Sequence, residues 1–148
     1  MIQGDLNQSR LSGGARLPRL LLPTLLRRLV KKQHLTRPCR VSVAFVSPKE
    51  MRRFNRLYRG VDAVTDVLSF NYTTYKKVEP AEYLGEILLN YEQIVKQARA
   101  LKHGIRYEAA YLMAHGLLHL LGFDHEKSAV QAARMLALEQ ALLADFPY

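Results

Sequence analysis

The sequence predicts a single α+β domain in which a small mixed sheet of about four strands packs with about five helices. The chain has 148 residues, the usual size of one domain. Apolar residues make up 49% of the chain, enough for a buried core. Short β-rich segments alternate with longer segments of helical periodicity, and no linker-like composition divides residues 1–148.

The first half begins with a polar segment. Residues 1–16 include adjacent glycines, which favours a flexible loop or a short strand. Apolar side chains then recur at helical spacing from Leu20 to Val30 and predict an amphipathic helix. Arg40–Val46 is β-rich and predicts a strand.

A second helix is predicted to begin at Pro48. Ser47 can cap it, proline suits its first position, and Glu50 completes a capping box. Four of its residues are expected to face the core: Met51, Phe54, Leu57 and Tyr58.

The second half predicts two strands and three helices. The strands are Val64–Tyr72 and Leu84–Leu89, joined by a loop over 73–83. The helices are Tyr91–Lys102 (ended by Gly104), Arg106–Leu121 (ended by Gly122) and Lys127–Leu143.

Charge is distributed unevenly. The formal net charge is +9, yet residues 1–60 carry 14 basic and only 2 acidic residues. Such a basic half indicates a polyanionic partner, either nucleic acid or an anionic membrane surface, although a solvated face is an equal alternative. Four arginines project from the second helix or its end and are candidate nucleic-acid contacts: Arg52, Arg53, Arg56 and Arg59.

Composition also excludes several classes of protein. The single cysteine, Cys39, cannot form an internal disulfide, which excludes a disulfide scaffold and favours a reducing compartment. No apolar run approaches the roughly 18 residues of a membrane span. We therefore expect a cytoplasmic protein without a membrane partner.

Three of the five histidines lie close together, as His115, His119 and His125. The first two are one helical turn apart on one face of the predicted helix. Gly122 can end that helix, and the following turn can bring His125 back as a third ligand. The other two histidines, His34 and His103, are expected at the surface.

Three imidazoles around one divalent ion leave an open coordination position, which is typical of a hydrolytic zinc site. We therefore predict one Zn²⁺ per chain on a zincin-like helix. Asp124 is a candidate carboxylate for orienting one of the ligands. Metzincin proteases use the same histidine spacing, but their general-base glutamate is replaced here by Gly116. A metalloprotease is therefore a less favoured alternative.

Three motifs are similar to those of the YbeY family. His115–His125 resembles its H-G-x-L-H-L-x-G-[YF]-D-H motif, and Asn55–Phe70 resembles its N-x-x-Y-R-x-x-D-x-P-T-D-V-L-S-F motif, with Val64 in place of proline. Leu84–Ile87 resembles its L-G-D-I motif, with Glu86 in place of aspartate.

This resemblance implies a zinc-dependent endoribonuclease, specific for single strands, in 16S ribosomal RNA 3′-end maturation and ribosome quality control. It implies metal binding by His115, His119 and His125 and a catalytic role for Arg59, whose charged planar group suits a phosphate. Single-stranded ribosomal RNA, the small ribosomal subunit and its assembly factors are the implied partners.

Three questions stay open. The attacking group can be water or the 2′-hydroxyl of the substrate. A non-catalytic assembly factor, with a metal-stabilised loop and an RNA-binding basic half, is the main alternative. Arg59 could also be a surface cation, or it could form a salt bridge with Asp62 or Asp66.

Overall fold

Four strands form one mixed sheet in the computed structural model, which describes residues 2–35, 39–71 and 83–146. The strands are β1 (Ile2–Asn7), β2 (Cys39–Phe45), β3 (Val67–Asn71) and β4 (Gly85–Leu89). Their order in the sheet is β1-β2-β4-β3. β2 runs parallel to both β1 and β4, and β3 pairs antiparallel with β4 at the edge of the sheet.

Five α-helices accompany the sheet in the described part of the chain. They are α1 (Leu21–Gln33), α2 (Pro48–Arg59), α3 (Tyr91–Leu101), α4 (Ile105–Leu120) and α5 (Ala129–Leu143). A single 3₁₀ turn, Gly13–Ala15, follows β1. The predicted α+β class and the predicted numbers of strands and helices are confirmed.

The two faces of the sheet bury different helices. On one face Val41, Val43 and Ile87 belong to a large core that includes buried residues of α1, α3, α4 and α5. On the other face Leu68 and Leu88 pack with Met51 of α2 in a smaller cluster. The sheet therefore separates α2 from the other four helices.

The register of β3 fixes what each face of the edge strand presents. Leu68 pairs with Leu88, and Ser69 pairs with Ile87. Because paired residues of antiparallel strands point to the same face, Leu68 points toward α2 and Ser69 points toward α4. β3 thus forms a wall between the two sides of the molecule.

Helix α2 begins as predicted but is rotated from the expected orientation. Ser47 and Glu50 form the capping box. Met51 is buried and Phe54 is partly buried, but the core positions predicted for Leu57 and Tyr58 are wrong, since these residues are 59% and 65% exposed.

The buried position in the second half of α2 is Asn55, one turn after Met51. The side-chain amide of Asn55 donates to the backbone carbonyl of Ala63, and the backbone carbonyl of Asn55 accepts from the backbone N–H of Val61. A polar side chain is buried here because it holds the loop between α2 and β3 in place.

Two predicted boundaries shift for identifiable reasons. The strand expected from Val64 begins at Val67. The backbone carbonyls of Thr65 and Asp66 accept hydrogen bonds from Asn90 instead of from a neighbouring strand. Helix α3 ends at a left-handed Lys102, and Gly104 instead precedes the first turn of α4. Tyr72 and most of the loop predicted over 73–83 lie outside the described residues.

The polar N-terminal segment contains a strand, which is one of the two predicted alternatives. β1 adds to β2 at the sheet edge opposite β3. In the described residues, no helix has both the length and the apolar character that crossing a bilayer requires.

Candidate metal centre

Helix α4 and the turn after it bring the three predicted histidine ligands together. His115 and His119 lie one turn apart in the last part of α4. The helix is followed by Gly122, whose φ of +97° suits a residue without a side chain, and the chain then turns back to His125. The helix and the turn therefore place residues that are ten positions apart around one point.

The geometry of the cluster suits a metal ion. One ligand nitrogen from each histidine lies within 4.8 Å of the others. The Nε2 atoms of His115 and His119 are 3.0 Å apart, and the His125 ring centroid lies 5.3 Å and 5.5 Å from those two rings. Three converging imidazoles are a donor set that divalent transition metals prefer, so these residues fit such an ion.

A buried carboxylate on α5 orients the first histidine. His115 Nδ1 lies 2.7 Å from Oε1 of Glu139, which is 3% exposed. Since a carboxylate accepts, Nδ1 carries the proton and Nε2 presents its lone pair to the cluster. Tyr111 lies near the same carboxylate, and burial followed by the charge of Glu139 raises the pKa of Tyr111 to about 12.

His119 is held in its neutral form. Burial lowers the pKa of His119 below its ordinary value, and the neighbouring His115 and His125 lower it further. Asp124 and a backbone hydrogen bond with Phe123 act in the opposite direction. The neutral imidazole is the form that binds a metal, so the site favours the ligating state.

Asp124, the carboxylate predicted to orient a ligand, lies beside the cluster. Its Oδ1 accepts from the backbone N–H of Glu126, and it lines the same cleft as the histidines. Its charge acts on His119, while the direct carboxylate contact to a histidine nitrogen comes from Glu139. A role for Asp124 in orienting a ligand stays a prediction.

The structure also explains the glycine between the first two histidines. A Cβ on Gly116 would lie 3.0–3.2 Å from three side-chain atoms of Ile87 in β4. Position 116 therefore faces the sheet, and a Cβ there would require the Ile87 side chain to move by a few tenths of an ångström.

A cleft of about 370 Å³ opens beside the histidines. Along one side run residues 65–69, which end the α2–β3 loop and begin β3; on the other side lie His115, His119 and His125. Arg59, the last residue of α2, also lines it. The predicted catalytic arginine and the predicted metal ligands thus share one cleft, although 56 or more positions separate them in sequence.

The two aspartates that could have neutralised Arg59 are engaged elsewhere. Asp62 accepts from Arg52 Nε at 2.8 Å and from Arg52 Nη2 at 3.1 Å. Asp66 accepts from the backbone N–H of Val67 and from the Gln97 side chain. Neither aspartate forms an ion pair with Arg59, so the predicted salt-bridge alternative is wrong, whereas Arg59 is exposed, as the surface-cation alternative expects.

The other three arginines of α2 are exposed, but they are not equivalent. Arg52 is committed to its ion pair with Asp62, and the hydrogen bonds of that pair lower the pKa of Asp62. Arg53 and Arg56 project from the same helix surface. Their contact with nucleic acid stays a prediction.

The remaining histidines differ from each other. His34 is exposed at the end of α1, as predicted. His103 was expected at the surface, but it is partly buried, bonded to the buried Glu108 and in edge-on contact with the Tyr107 ring. It belongs to the α3–α4 connection and not to the cleft.

Sequence reasoning missed Glu139 and Tyr111. A signal for Glu139 was present: it stands four residues after Met135 and three before Leu142, inside the buried stripe of α5. A carboxylate at such a position needs a buried partner. The identity of that partner could not be read from spacing, because α5 follows the histidines by a turn of unknown direction.

Comparison with known sequences identifies the family to which the chain belongs. The sequence profile of the family described as Endoribonuclease YbeY matches residues 15–147. The chain belongs to the YbeY family. A YbeY endoribonuclease of Roseiflexus castenholzii is 40% identical over 110 residues, which is 72% of this chain and 69% of the relative. The resemblance inferred from the three motifs is thereby confirmed.

Two further YbeY endoribonucleases give similar values. The protein of Chloroflexus aurantiacus strain J-10-fl is 42% identical over 110 residues, 71% of each chain. The protein of Moorella thermoacetica is 42% identical over 111 residues, 70% of each chain. These matches cover most of the relatives as well as most of this chain.

A solved structure supports the fold. The solution structure of a Thermotoga maritima protein aligns with a TM-score of 0.60 and 24% sequence identity, covering 98% of this chain and 91% of that one. At this identity the likeness supports the α+β architecture alone.

Proposed function

We propose that this YbeY chain is a zinc-dependent endoribonuclease that cleaves single-stranded RNA in the cleft between β3 and α4. One observation carries the proposal: Arg59 and the three histidines line the same cleft. YbeY relatives are named endoribonucleases, and the basic α2 offers the positive surface that RNA binding requires.

The donor set supports an open zinc site. Structural zinc sites usually have four protein ligands, whereas catalytic sites have three and leave one position for substrate or water. The cluster found in the described residues has three donors: His115, His119 and His125. When bound, zinc supplies Lewis-acid activation of a phosphate oxygen or of a water molecule.

The chain's own residues orient the metal ligands and neutralise the charge of the phosphate. Glu139 holds the proton of His115 on Nδ1, so Nε2 is available as a ligand. Arg59 binds the phosphate and stabilises the negative charge that develops on it during cleavage. Asp124 adds a negative charge beside His119 and is proposed to steady that ligand.

The proposed biological substrate is ribosomal RNA. By family resemblance, the chain acts in the cytoplasm in maturation of the 16S 3′ end and in ribosome quality control, with the small subunit and its assembly factors as partners. A precursor 16S RNA with an extended 3′ tail is the natural test substrate. Shortening of that tail is the expected result, and an intact tail beside cleaved unrelated RNA contradicts the ribosomal assignment.

The biochemical proposal is tested by measuring zinc content and RNA cleavage in the same preparations. Wild type, His119→Ala, Arg59→Ala and a control, Arg27→Ala, are compared on a labelled single strand and on its duplex. Arg27 is exposed on α1, which packs on β1 at the opposite sheet edge from β3.

The proposal expects zinc to be lost only in His119→Ala, and single-strand cleavage to be lost in both His119→Ala and Arg59→Ala. The duplex is spared by all four proteins. Unchanged cleavage in both variants contradicts the nuclease assignment. RNA binding without any cleavage, even in the wild type, favours the non-catalytic assembly factor.

A further inference from the structure

A second cavity lies on the opposite side of β3 from the histidines. It has a volume of about 660 Å³, within the roughly 300–1,000 Å³ of small-ligand sites. Its walls are α2 and the face of the sheet that α2 covers. We call this cavity the α2 groove and define it by Phe54, Tyr58, Phe70, Leu88 and Glu86, with Arg59 at its margin.

Aromatic rings form one wall of the α2 groove. Phe54 and Tyr58 are stacked, with ring centroids 6.2 Å apart and an interplanar angle of 23°. Phe70 of β3 meets Tyr58 edge-on at 5.2 Å. Tyr58 is 65% exposed, so a large part of its ring is available to a further planar group.

The α2 groove adjoins the cleft that contains the histidines. Arg59 and Ser69 line both cavities, and β3 is the wall between them. A phosphate bound by Arg59 in the cleft would therefore leave the neighbouring nucleotide at the entrance of the groove. Tyr58 and Arg59 are consecutive residues of α2 and both line the groove, so a base at Tyr58 would belong to a nucleotide next to that phosphate.

The charges of the α2 groove identify which part of a nucleotide fits it. Glu50 and Glu86 line it, and carboxylates repel a phosphate. The cleft also has acidic residues, Asp66, Asp124 and Glu126, but these lie beside the proposed zinc ion, whereas Arg59 is the one cation among the described residues that line the groove. A base, by contrast, offers a planar apolar face to the rings and, in cytosine or adenine, an amino group that a carboxylate accepts from. The groove is therefore suited to a base and not to the sugar–phosphate backbone.

We infer that the α2 groove binds one unpaired nucleobase of the RNA, adjacent to the phosphate held by Arg59, and that Tyr58 is its stacking platform. This inference rests on the proposed ribonuclease function and adds a reason for strand specificity. A base in a duplex is stacked and paired, so it cannot enter the groove without being unpaired first.

The test uses Tyr58→Ala, Tyr58→Phe and the control Leu57→Ala. Both side chains are exposed on α2, but only Tyr58 lines the groove, so each variant is expected to fold. Affinity for a short single-stranded RNA is measured with the zinc-loaded proteins, and so is the rapid quenching of 2-aminopurine placed beside the cleaved phosphate.

Tyr58→Ala should weaken RNA binding by roughly 5- to 100-fold, the range that one base–aromatic stack contributes, and should abolish the quenching. Tyr58→Phe and Leu57→Ala should behave as the wild type. Removing the base at that RNA position should weaken binding by the wild type and not by Tyr58→Ala, since the stack is already absent there.

Equal affinity of wild type and Tyr58→Ala, while the wild type cleaves normally, overturns the base site and leaves the ribonuclease function standing. Absence of cleavage by the wild type instead counts against the proposed function. A changed sedimentation coefficient in Tyr58→Ala with unchanged RNA affinity would mean that the groove pairs two copies of the chain, which also overturns the inference.

Discussion

His115 Nδ1 and Glu139 Oε1 are 2.7 Å apart, and this hydrogen bond joins the histidine helix α4 to the last helix, α5. The carboxylate is buried and also lies near Tyr111, one turn before His115. It therefore fixes both the ring orientation and the tautomer of His115. The metal centre depends in this way on a residue that lies 24 positions from the ligand it orients.

Replacing Glu139 should weaken metal binding. In Glu139→Leu the acceptor for His115 is lost, and we expect zinc affinity to fall about 10- to 100-fold, the usual effect of removing such a partner. Glu139→Gln keeps an oxygen acceptor and should lose less. Competition with a chelating dye measures the affinities, and Glu92→Gln, an exposed change on α3, is the control. Unchanged zinc affinity in a folded Glu139→Leu protein contradicts this role.

Gly116→Ala should destabilise the chain even though it lies in a helix. Alanine gains about 1 kcal/mol of helix propensity over glycine, whereas overpacking a core usually costs about 1–3 kcal/mol. Because the new Cβ meets the fully buried Ile87, we expect a net loss of about 1 kcal/mol in the free energy of unfolding.

Urea unfolding measures the loss, and Ile87→Val provides its internal check. Valine lacks the Cδ1 atom that would lie nearest the new methyl group. The effect of Gly116→Ala should therefore be smaller in the Ile87→Val background. A Gly116→Ala protein that is more stable than the wild type would show that position 116 has room for a side chain.

The helix that carries Arg59 should be less stable without its cap. Ser47→Ala removes the capping bond to the Glu50 backbone N–H and should cost about 1 kcal/mol near neutral pH. Hydrogen bonds from the backbone and side chain of Ser47 lower the pKa of Glu50. The ionised carboxylate thus stabilises the fold above its ordinary pKa, and this stabilisation is lost as pH falls through the lowered value.

The difference between wild type and Ser47→Ala should therefore shrink in acid, which chemical unfolding at several pH values measures. Ser128→Ala is a matched control, because Ser128 caps α5 by accepting from the Gln131 N–H, and glutamine does not titrate. Its effect should be constant over the same range. Identical pH dependence in the two variants contradicts the role given to Glu50.

Arg53 should contribute more to RNA binding than Arg52. Each phosphate contact to a single strand adds about 0.7 to the slope of log affinity against log salt concentration. Arg53→Ala should reduce the slope by about that amount, while Arg52 is held by Asp62 and should change it less. The double variant Arg52→Ala/Arg53→Ala should retain full zinc content.

Affinity measured over a series of salt concentrations tests this difference, with Arg27→Ala on α1 as the control. Equal slopes in the wild type, Arg53→Ala and the double variant would mean that the basic surface of α2 is only a solvated face.

The metal-binding pattern was readable from sequence because it is local. His115, His119 and Gly122 act through helical periodicity and one turn, and those rules need no knowledge of the rest of the fold. The same holds for the capping box at Ser47 and for the paired periodicities that predict strands and helices.

Features that depend on distant packing were not readable. The contact of Glu139 with His115 depends on the direction in which α5 returns across α4. The exposure of Tyr58 depends on the rotation of α2, which is set by burial of Asn55 against its own loop. Helical spacing alone assigned Tyr58 to the core. The spacing of apolar residues in α2 does not reveal that the polar Asn55 is buried in place of Tyr58.

The most direct test of the proposed metal centre is a zinc titration of protein from which metal has been removed with a chelator. The initial rate of single-stranded RNA cleavage is measured at each zinc concentration. We predict no cleavage without metal, a rise in the cleavage rate that ends at one equivalent of zinc per chain, and no recovery in His119→Ala. If the metal-free wild type cleaved RNA at the rate of the zinc-loaded protein, this would contradict the claim that the three histidines form the catalytic centre.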